Sequence, residues 1–399
     1  MAKKVIVLKF GGTSVSTTEG RQLVVEHVKR VKSEGYFPVL VISAMGRRGA
    51  PYATDTLIDL IRAEGEPVDG RDEDLIYHCG EVISCAIMSH RLKLNGHPAV
   101  ALTGGQAGIF TEECSRRAKI LRIDPTRMLA HVGKGEIPVV TGGQGVGAVS
   151  QDVTILGRGA SDTSGVAVGV ALGAERAEIY SDVHGVAVAD PRVVSGANFL
   201  KEITYQKMYE MSVFGSKVLH PGAVLIGQRG GMEIVCRSTF DQAPGTSIKV
   251  TQNEPDLVGI ASMSPVCLIR VSGAASRSIQ PEDLYNQFAA VLISQGNEPM
   301  ATIAVSTDWK PALLKWLSDQ GASVTSSRPD WGVVSLIGQP DFIVSSFQRA
   351  KTILVDQSIE TPIQERASIR SSFVVGKDAT QKAVQSFYAA FIKPSRGYQ

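Results

Sequence analysis

A lysine placed directly before two glycines, Lys9-Phe10-Gly11-Gly12, follows the short apolar run Val5–Leu8. A strand that ends this way presents bare backbone N–H groups and one ammonium ahead of a helix N-terminus, where a polyphosphate is favoured. The lysine precedes the glycines, so this is not a Walker A loop, and the glycine spacing is not that of a dinucleotide fold. A second group of chemistry-bearing residues is Gly157-Arg158-Gly159-Ala160-Ser161-Asp162. Its glycines let the chain pass close to a ligand, and Arg158 offers a planar fork matched to a carboxylate, which a lysine would not reproduce. Asp162, at the start of the helix that follows, can cap that helix or take a substrate ammonium, and capping by Ser161 would leave it free. Farther along, Ser181-Asp182, Asp190-Pro191-Arg192 and Lys217 carry further hydroxyl, carboxylate and cationic groups.

The heptapeptide KFGGTSV is more particular than any of these groups alone, and it resembles the opening of the aspartate kinases of the amino acid kinase family. The resemblance continues in order through VISAMG, CGEVIS, TGGQAGI, IPVVTGGQG, TILGRGASDTS, YSDVHGVAVADPRV and FGSKVLHPGAV, over roughly the first 250 residues. It implies transfer of the γ-phosphate of ATP to the β-carboxylate of L-aspartate, with Mg2+ bound mainly through the nucleotide phosphates. It further implies a substrate pocket of Ser43, Thr54, Glu81, Arg158 and Asp162. On the nucleotide side it implies Lys9, Phe10, Gly11, Gly12, Ser181, Asp182, Ala187, Arg192 and Lys217, with Lys9, Asp162 and Lys217 catalytic. No dedicated protein metal site is expected.

The charges involved support such a site. Aspartate brings two carboxylates and ATP brings about four negative charges, so cations must stand where charge moves during transfer. Lys9 is the first choice for the transferring phosphoryl group. Acyl phosphate formation needs no proton abstraction from a carboxylate that is already ionised, so His220 reads as a helix-entry residue. Two other readings remain open: an amino acid kinase acting on a different acidic substrate, and a regulatory paralogue without catalysis.

Departures from the family pattern are visible. Ala187 stands where an aromatic residue is common, which weakens adenine binding by roughly 0.5–1.5 kcal/mol. His184 replaces an acidic or small residue, and Gly222 replaces an arginine. Arg47, Arg48, Gly49, Ala50, Pro51 and Tyr52 form a segment that many relatives shorten; it reads equally as a lid over the phosphates or as a surface insertion.

To place these residues, apolar runs at 4–9, 37–43, 98–102, 137–141, 177–181 and 232–236 read as strands. Helical patterns at 19–34, 73–95, 115–133 and 161–173 alternate with them, and a hairpin or loop is expected from 142 to 154. This alternation predicts an α/β catalytic domain over 1–250, with a mainly parallel sheet sandwiched by helices and ligands at the carboxyl ends of its strands. After the polar stretch 251–256 the order changes. Strands are expected at 257–271, 300–305, 332–337 and 367–375, and helices at 281–295, 309–320, 340–353 and 379–391. Two βαββαβ units over 257–399 fit this order, and the resemblance implies interleaved ACT-like domains for oligomerisation and amino-acid effector binding. The effector loops read SGAASRSIQPED and SSFVVGKDATQK, without the Gly-Val entry usual there.

A chain of 399 residues with 43% hydrophobic and 20% charged residues can bury large cores in more than one domain. Its net charge of +2 argues against nucleic-acid or membrane partners. The start Met-Ala-Lys-Lys reads as cytoplasmic, and a homodimer or higher homo-oligomer is expected. Cys79, Cys85, Cys114, Cys236 and Cys267 are scattered without a CxxC pair and read as reduced thiols.

Overall fold

A computed structural model of the chain describes residues 3–157, 159–295 and 300–392. The chain divides into two compact units. One comprises 1–186, 201–205 and 218–250, and the other 187–200, 206–217 and 251–399.

In the first unit an eight-stranded sheet carries all six strands read from the sequence: Val5–Phe10, Phe37–Ile42, Ala99–Leu102, Ile137–Thr141, Arg176–Ser181 and Glu233–Ser238. Val5–Phe10 lies between Phe37–Ile42 and Arg176–Ser181, parallel to both, and every one of its residues is buried. A strand covered on both faces has no solvent side to mark with polar residues, hence the apolar run Val5–Leu8 that precedes Lys9. Two short strands the sequence did not disclose, Glu202–Ile203 and Thr246–Ile248, extend one edge, and Thr246–Ile248 runs antiparallel to Glu233–Ser238. Ile6, Leu8, Leu40 and Ile42 pack with Val24, Val28, Met88 and Leu92 of the covering helices Thr18–Ser33 and Gly70–Leu94.

The helix expected over 115–133 is not formed as such. Ile120–Ile123 is a strand paired with Ile109–Thr111, and only Thr126–Lys134 is helical. Pro125 is responsible, because the residue before a proline is pushed out of the helical region. The hairpin expected nearby is present as Gln144–Gly147 paired with Val153–Ile155.

The second unit is built on a six-stranded antiparallel sheet. Two 16-residue strands, Leu257–Ser272 and Ser323–Gly338, run through its whole width of two halves. One half adds Val291–Gln295 and Met300–Val305, with Leu284, Phe288, Leu313 and Leu317 of two helices packed on Ile269 and Ile303. The other adds Ile363–Arg366 and Arg370–Gly376, with Phe373 against Phe347 and Phe387 of two further helices. The chain enters one half, builds the other, and returns, which is the interleaving expected of an ACT-like pair. The helix read as 281–295 stops at Phe288, where Ala289 adopts φ +47°, and Val291–Gln295 is a strand. The strand expected at 367–375 is two, Ile363–Arg366 and Arg370–Gly376. No described helix is long and apolar enough to cross a membrane.

Candidate active site

Lys9 is the next-to-last residue of Val5–Phe10, and its Nζ lies 2.7 Å from Asp162 Oδ1. Both side chains are largely withdrawn from solvent, at 9% and 13% exposure, so the pair is screened far less than a surface ion pair would be. Asp162 sits in the first turn of Ser161–Leu172, and its second oxygen accepts from the His220 N–H at 3.1 Å. The expected Ser161 cap does not form. The N-cap is Ala160 without a side-chain bond, and the Ser161 hydroxyl instead accepts from Ser43 Oγ at 3.0 Å. Asp162 is nonetheless left to Lys9.

Backbone packing fixes the lysine. Gly11 N–H donates to the Tyr180 carbonyl at 3.1 Å, and the Gly12 carbonyl accepts from Gly46 N–H at 3.1 Å. A Cβ on Gly12 would stand 2.5 Å from the Ala44 carbonyl oxygen, so only glycine fits between the two loops. Gly165, one turn beyond Asp162, lets the Lys9 side chain pass, since a Cβ there would lie 3.1 Å from Lys9 Cβ. The sequence reading missed this residue, although its place three positions after Asp162 could have marked it.

Glu81 of the Gly70–Leu94 helix is only 3% exposed, and its Oε1 accepts from the Ala44 N–H at 3.3 Å. Its Oε2 has no partner among the described residues. Burial pushes the carboxyl up to about 8, against the pull of two backbone N–H bonds. Ser43 and Thr54, both half-buried, stand at the end of Phe37–Ile42 and at the start of the Thr54–Arg62 helix. The structure thus brings together Lys9, Asp162, Ser43 and, through Ala44, Glu81, at the carboxyl ends of neighbouring parallel strands.

The amino acid kinase family profile matches residues 4–238. Aspartokinase 1 of Bacillus subtilis (strain 168) is 43% identical over 256 residues, 64% of this chain and 63% of that protein's own length. The aspartokinase of Geobacillus stearothermophilus is 33% identical over 97% of both chains. The chain belongs to the amino acid kinase family, among the aspartokinases. In fold it is similar to Escherichia coli aspartokinase III, solved in complex with aspartate and ADP in its R-state, at TM-score 0.80 and 21% identity over 98% of this chain and 100% of that one.

Other aspartokinase-like positions are less uniform. Phe10 turns its side chain into the core, stacked on Tyr180 at 4.6 Å between centroids, so it has only main-chain groups to give a nucleotide. Its carbonyl accepts from Ser43 N–H at 3.1 Å. Ser181 ends its strand with Oγ accepting from Val183 N–H, and exposed Asp182 pairs with Arg47 at 2.7 Å. The 47–52 segment is thereby tied to a nucleotide-side candidate, and Arg48 pairs with Asp59 at 2.6 Å. His220 caps the Pro221–Gly230 helix, its Nδ1 accepting from Gly222 N–H at 3.1 Å, as its reading as a helix-entry residue anticipated. Burial lowers its pKa. A Cβ at 222 would lie 3.1 Å from both His220 Nδ1 and Thr163 Oγ1.

Ala187, Arg192 and Lys217 belong to the second unit. Ala187 is buried in a bridge to Phe199, Arg192 is exposed and forks onto Asp190 at 2.6 and 3.0 Å, and Lys217 is exposed. Arg158, the expected carboxylate clamp, lies outside the described residues. No group of three or more His, Cys, Asp or Glu among the described residues is placed to hold a metal. Sequence reasoning also missed the hydroxyl pair Ser14–Thr239 at 2.7 Å and the Ser164 Oγ that accepts from Gly143 N–H at 2.9 Å. Thr239 has no local signal; Ser164 is advertised by its spacing of three from Ser161.

Proposed function

We propose that the chain is an aspartate kinase that transfers the γ-phosphoryl group of ATP to the β-carboxylate of L-aspartate, giving 4-phospho-L-aspartate. The observation that carries this reading is the screened Lys9–Asp162 pair at the carboxyl end of a fully buried parallel strand. A cation held there by a carboxylate is preorganised for charge that develops on the transferring phosphoryl group and reorganises little as it does so. Asp162 holds Lys9 in place. Glu81 receives the substrate ammonium, Arg158 takes a substrate carboxylate, and Ser43 and Thr54 supply hydroxyls.

On the nucleotide side, Gly11, Gly12 and the Phe10 main chain face the phosphates, with Ser181, Asp182, Ala187, Arg192 and Lys217 completing the set. Mg2+ travels with ATP and neutralises its phosphates. The product opens the route to lysine, diaminopimelate, threonine and methionine. The tail serves oligomerisation, a homodimer at least, and amino-acid control in the cytoplasm. Because neither effector loop carries the Gly-Val entry, lysine or threonine is expected to inhibit weakly or not at all.

Coupled ADP release tests the reading. Turnover with L-aspartate and none with glutamate supports it. Turnover with another acid, or ADP release that aspartate does not stimulate, overturns it.

A further inference from the structure

Arg370 begins the Arg370–Gly376 strand of the tail and is 7% exposed, an unusual burial for an arginine. Its partners account for it. Nε bonds Glu210 at 2.9 Å, Nη1 lies 2.9 Å from Glu365 and also reaches Ser372 Oγ, and the guanidinium sits 4.0 Å above the Phe214 ring. Glu210 and Phe214 stand four residues apart in the segment 206–217, which groups with the tail rather than with the first unit. Immediately after Phe214, Gly215 takes φ +120°, and a Cβ there would lie 2.0 Å from the Ser262 carbonyl oxygen. The backbone is pressed directly on the long tail strand at that point. Lys217 follows two residues later.

The other excursion into the second unit, 187–200, is tied down in the same way. Ile260 N–H donates to the Val188 carbonyl at 2.7 Å, and Gln385 Nε2 donates to the Val193 carbonyl at 2.9 Å. That segment carries Arg192. The two segments converge electrostatically on Asp190, whose carboxyl is held below the usual range first by its hydrogen bond with Arg192 and, in smaller part, by the Lys217 charge. Two cations around one carboxylate leave an excess positive charge suited to a phosphate chain.

We propose that Arg370 is a positioning residue for the nucleotide. By clamping Glu210 and Phe214 onto the tail sheet it fixes the loop that presents Lys217. This rests on the nucleotide-side role of Lys217 given above.

The test compares Arg370→Ala, Arg370→Lys and Glu210→Gln with the full-length wild-type chain, reading both Michaelis constants, kcat, and the Kd for MgADP by calorimetry. Arg370→Ala is expected to raise KM for ATP and Kd for MgADP about tenfold and to leave KM for aspartate within about twofold. Arg370→Lys should recover part of the loss, because it keeps the charge facing Glu210 and Glu365 and loses only the stack and the fork. In a Lys217→Ala background, Arg370→Ala should add little, since a residue that acts through Lys217 has nothing left to position. If Arg370→Ala does not fold, Glu210→Gln carries the same expectation, for that side chain is one-quarter exposed. Unchanged nucleotide constants in a folded variant, or effects that add in full to those of Lys217→Ala, would overturn the proposal. Turnover of the wild type with aspartate is read separately, so failure of the functional assignment shows there first.

Discussion

Glu81 offers a prediction whose size follows from its surroundings. Its carboxyl is buried, bonded through one oxygen to Ala44 N–H, and raised from an ordinary value near 4.5 to about 8. Between those values the folded chain keeps a proton that the unfolded chain has released. Stability therefore falls as pH rises through this window, and the fall ends once the folded carboxyl ionises. Each pH unit is worth about 1.4 kcal/mol until the folded carboxyl begins to ionise, so the wild type should lose about 2 kcal/mol between about pH 6 and pH 8 through this group alone. Glu81→Gln is close in shape, keeps an acceptor for Ala44, and has no proton to lose. Urea unfolding of both proteins at a series of pH values, followed by far-ultraviolet circular dichroism, isolates the difference. Tryptophan fluorescence would not serve, because Trp309, Trp316 and Trp331 all lie in the second unit. The two stability curves should diverge steadily from about pH 6 to about pH 8 and run parallel above that, with the variant the more stable on the alkaline side. Curves that stay parallel throughout would refute the reasoning, since they would mean that Glu81 titrates as an exposed carboxylate does.

Lys9→Ala should lower kcat at least about a hundredfold while leaving aspartate binding in place, because one preorganised cation at transition-state charge is worth roughly 3 kcal/mol. Steady-state kinetics with calorimetric aspartate binding would show it, and near-normal turnover would remove Lys9 from the chemistry. Gly12→Ala should destabilise the first unit by about 1–3 kcal/mol, the usual range for forcing atoms into a filled site, because its Cβ would meet the Ala44 and Gly46 carbonyls. Thermal unfolding by circular dichroism measures this, and an unchanged midpoint would count against the tight approach. Arg158→Lys should raise KM for aspartate more than KM for ATP, since the fork is lost and the charge is kept. A shift confined to ATP would move Arg158 to the nucleotide side.

What could be read from the sequence was what depends on neighbours in the chain. Lys9, Gly11 and Gly12 form a contiguous signal, because a strand end, a missing side chain and a cation occupy consecutive positions. The six strands were legible for a similar reason, each centred on a short apolar stretch such as Val5–Leu8 or Val39–Ile42. Errors appeared where a short-range rule was overruled. The apolar spacing from Ile120 onward suits a helix, yet Pro125 and pairing with Ile109–Thr111 hold Ile120–Ile123 extended, and Arg122 lies over the Phe110 ring at 3.7 Å. Ser161 has the chemistry of a cap, but its hydroxyl bonds Ser43, which is 118 residues away.

The burial of Glu81 was hidden for a further reason: its helix buries Asp74, Ser84 and Ser89 alongside Cys85, Met88 and Leu92, so no clean apolar face separates inside from outside. The division of the nucleotide-side candidates was the least legible feature. Nothing near Lys217 or Arg192 in the chain says that these residues belong with strands beginning at 257, since the ties that place them run to Ser262, Ile260, Arg370 and Gln385. Residues that bind a ligand tend to be written locally, because a loop must have the right shape at one point. Residues that hold such a loop against the rest of the molecule carry no comparable mark. Arg370 is of the second kind: in the sequence it is one arginine among many, and only its burial between Glu210, Glu365 and the Phe214 ring distinguishes it.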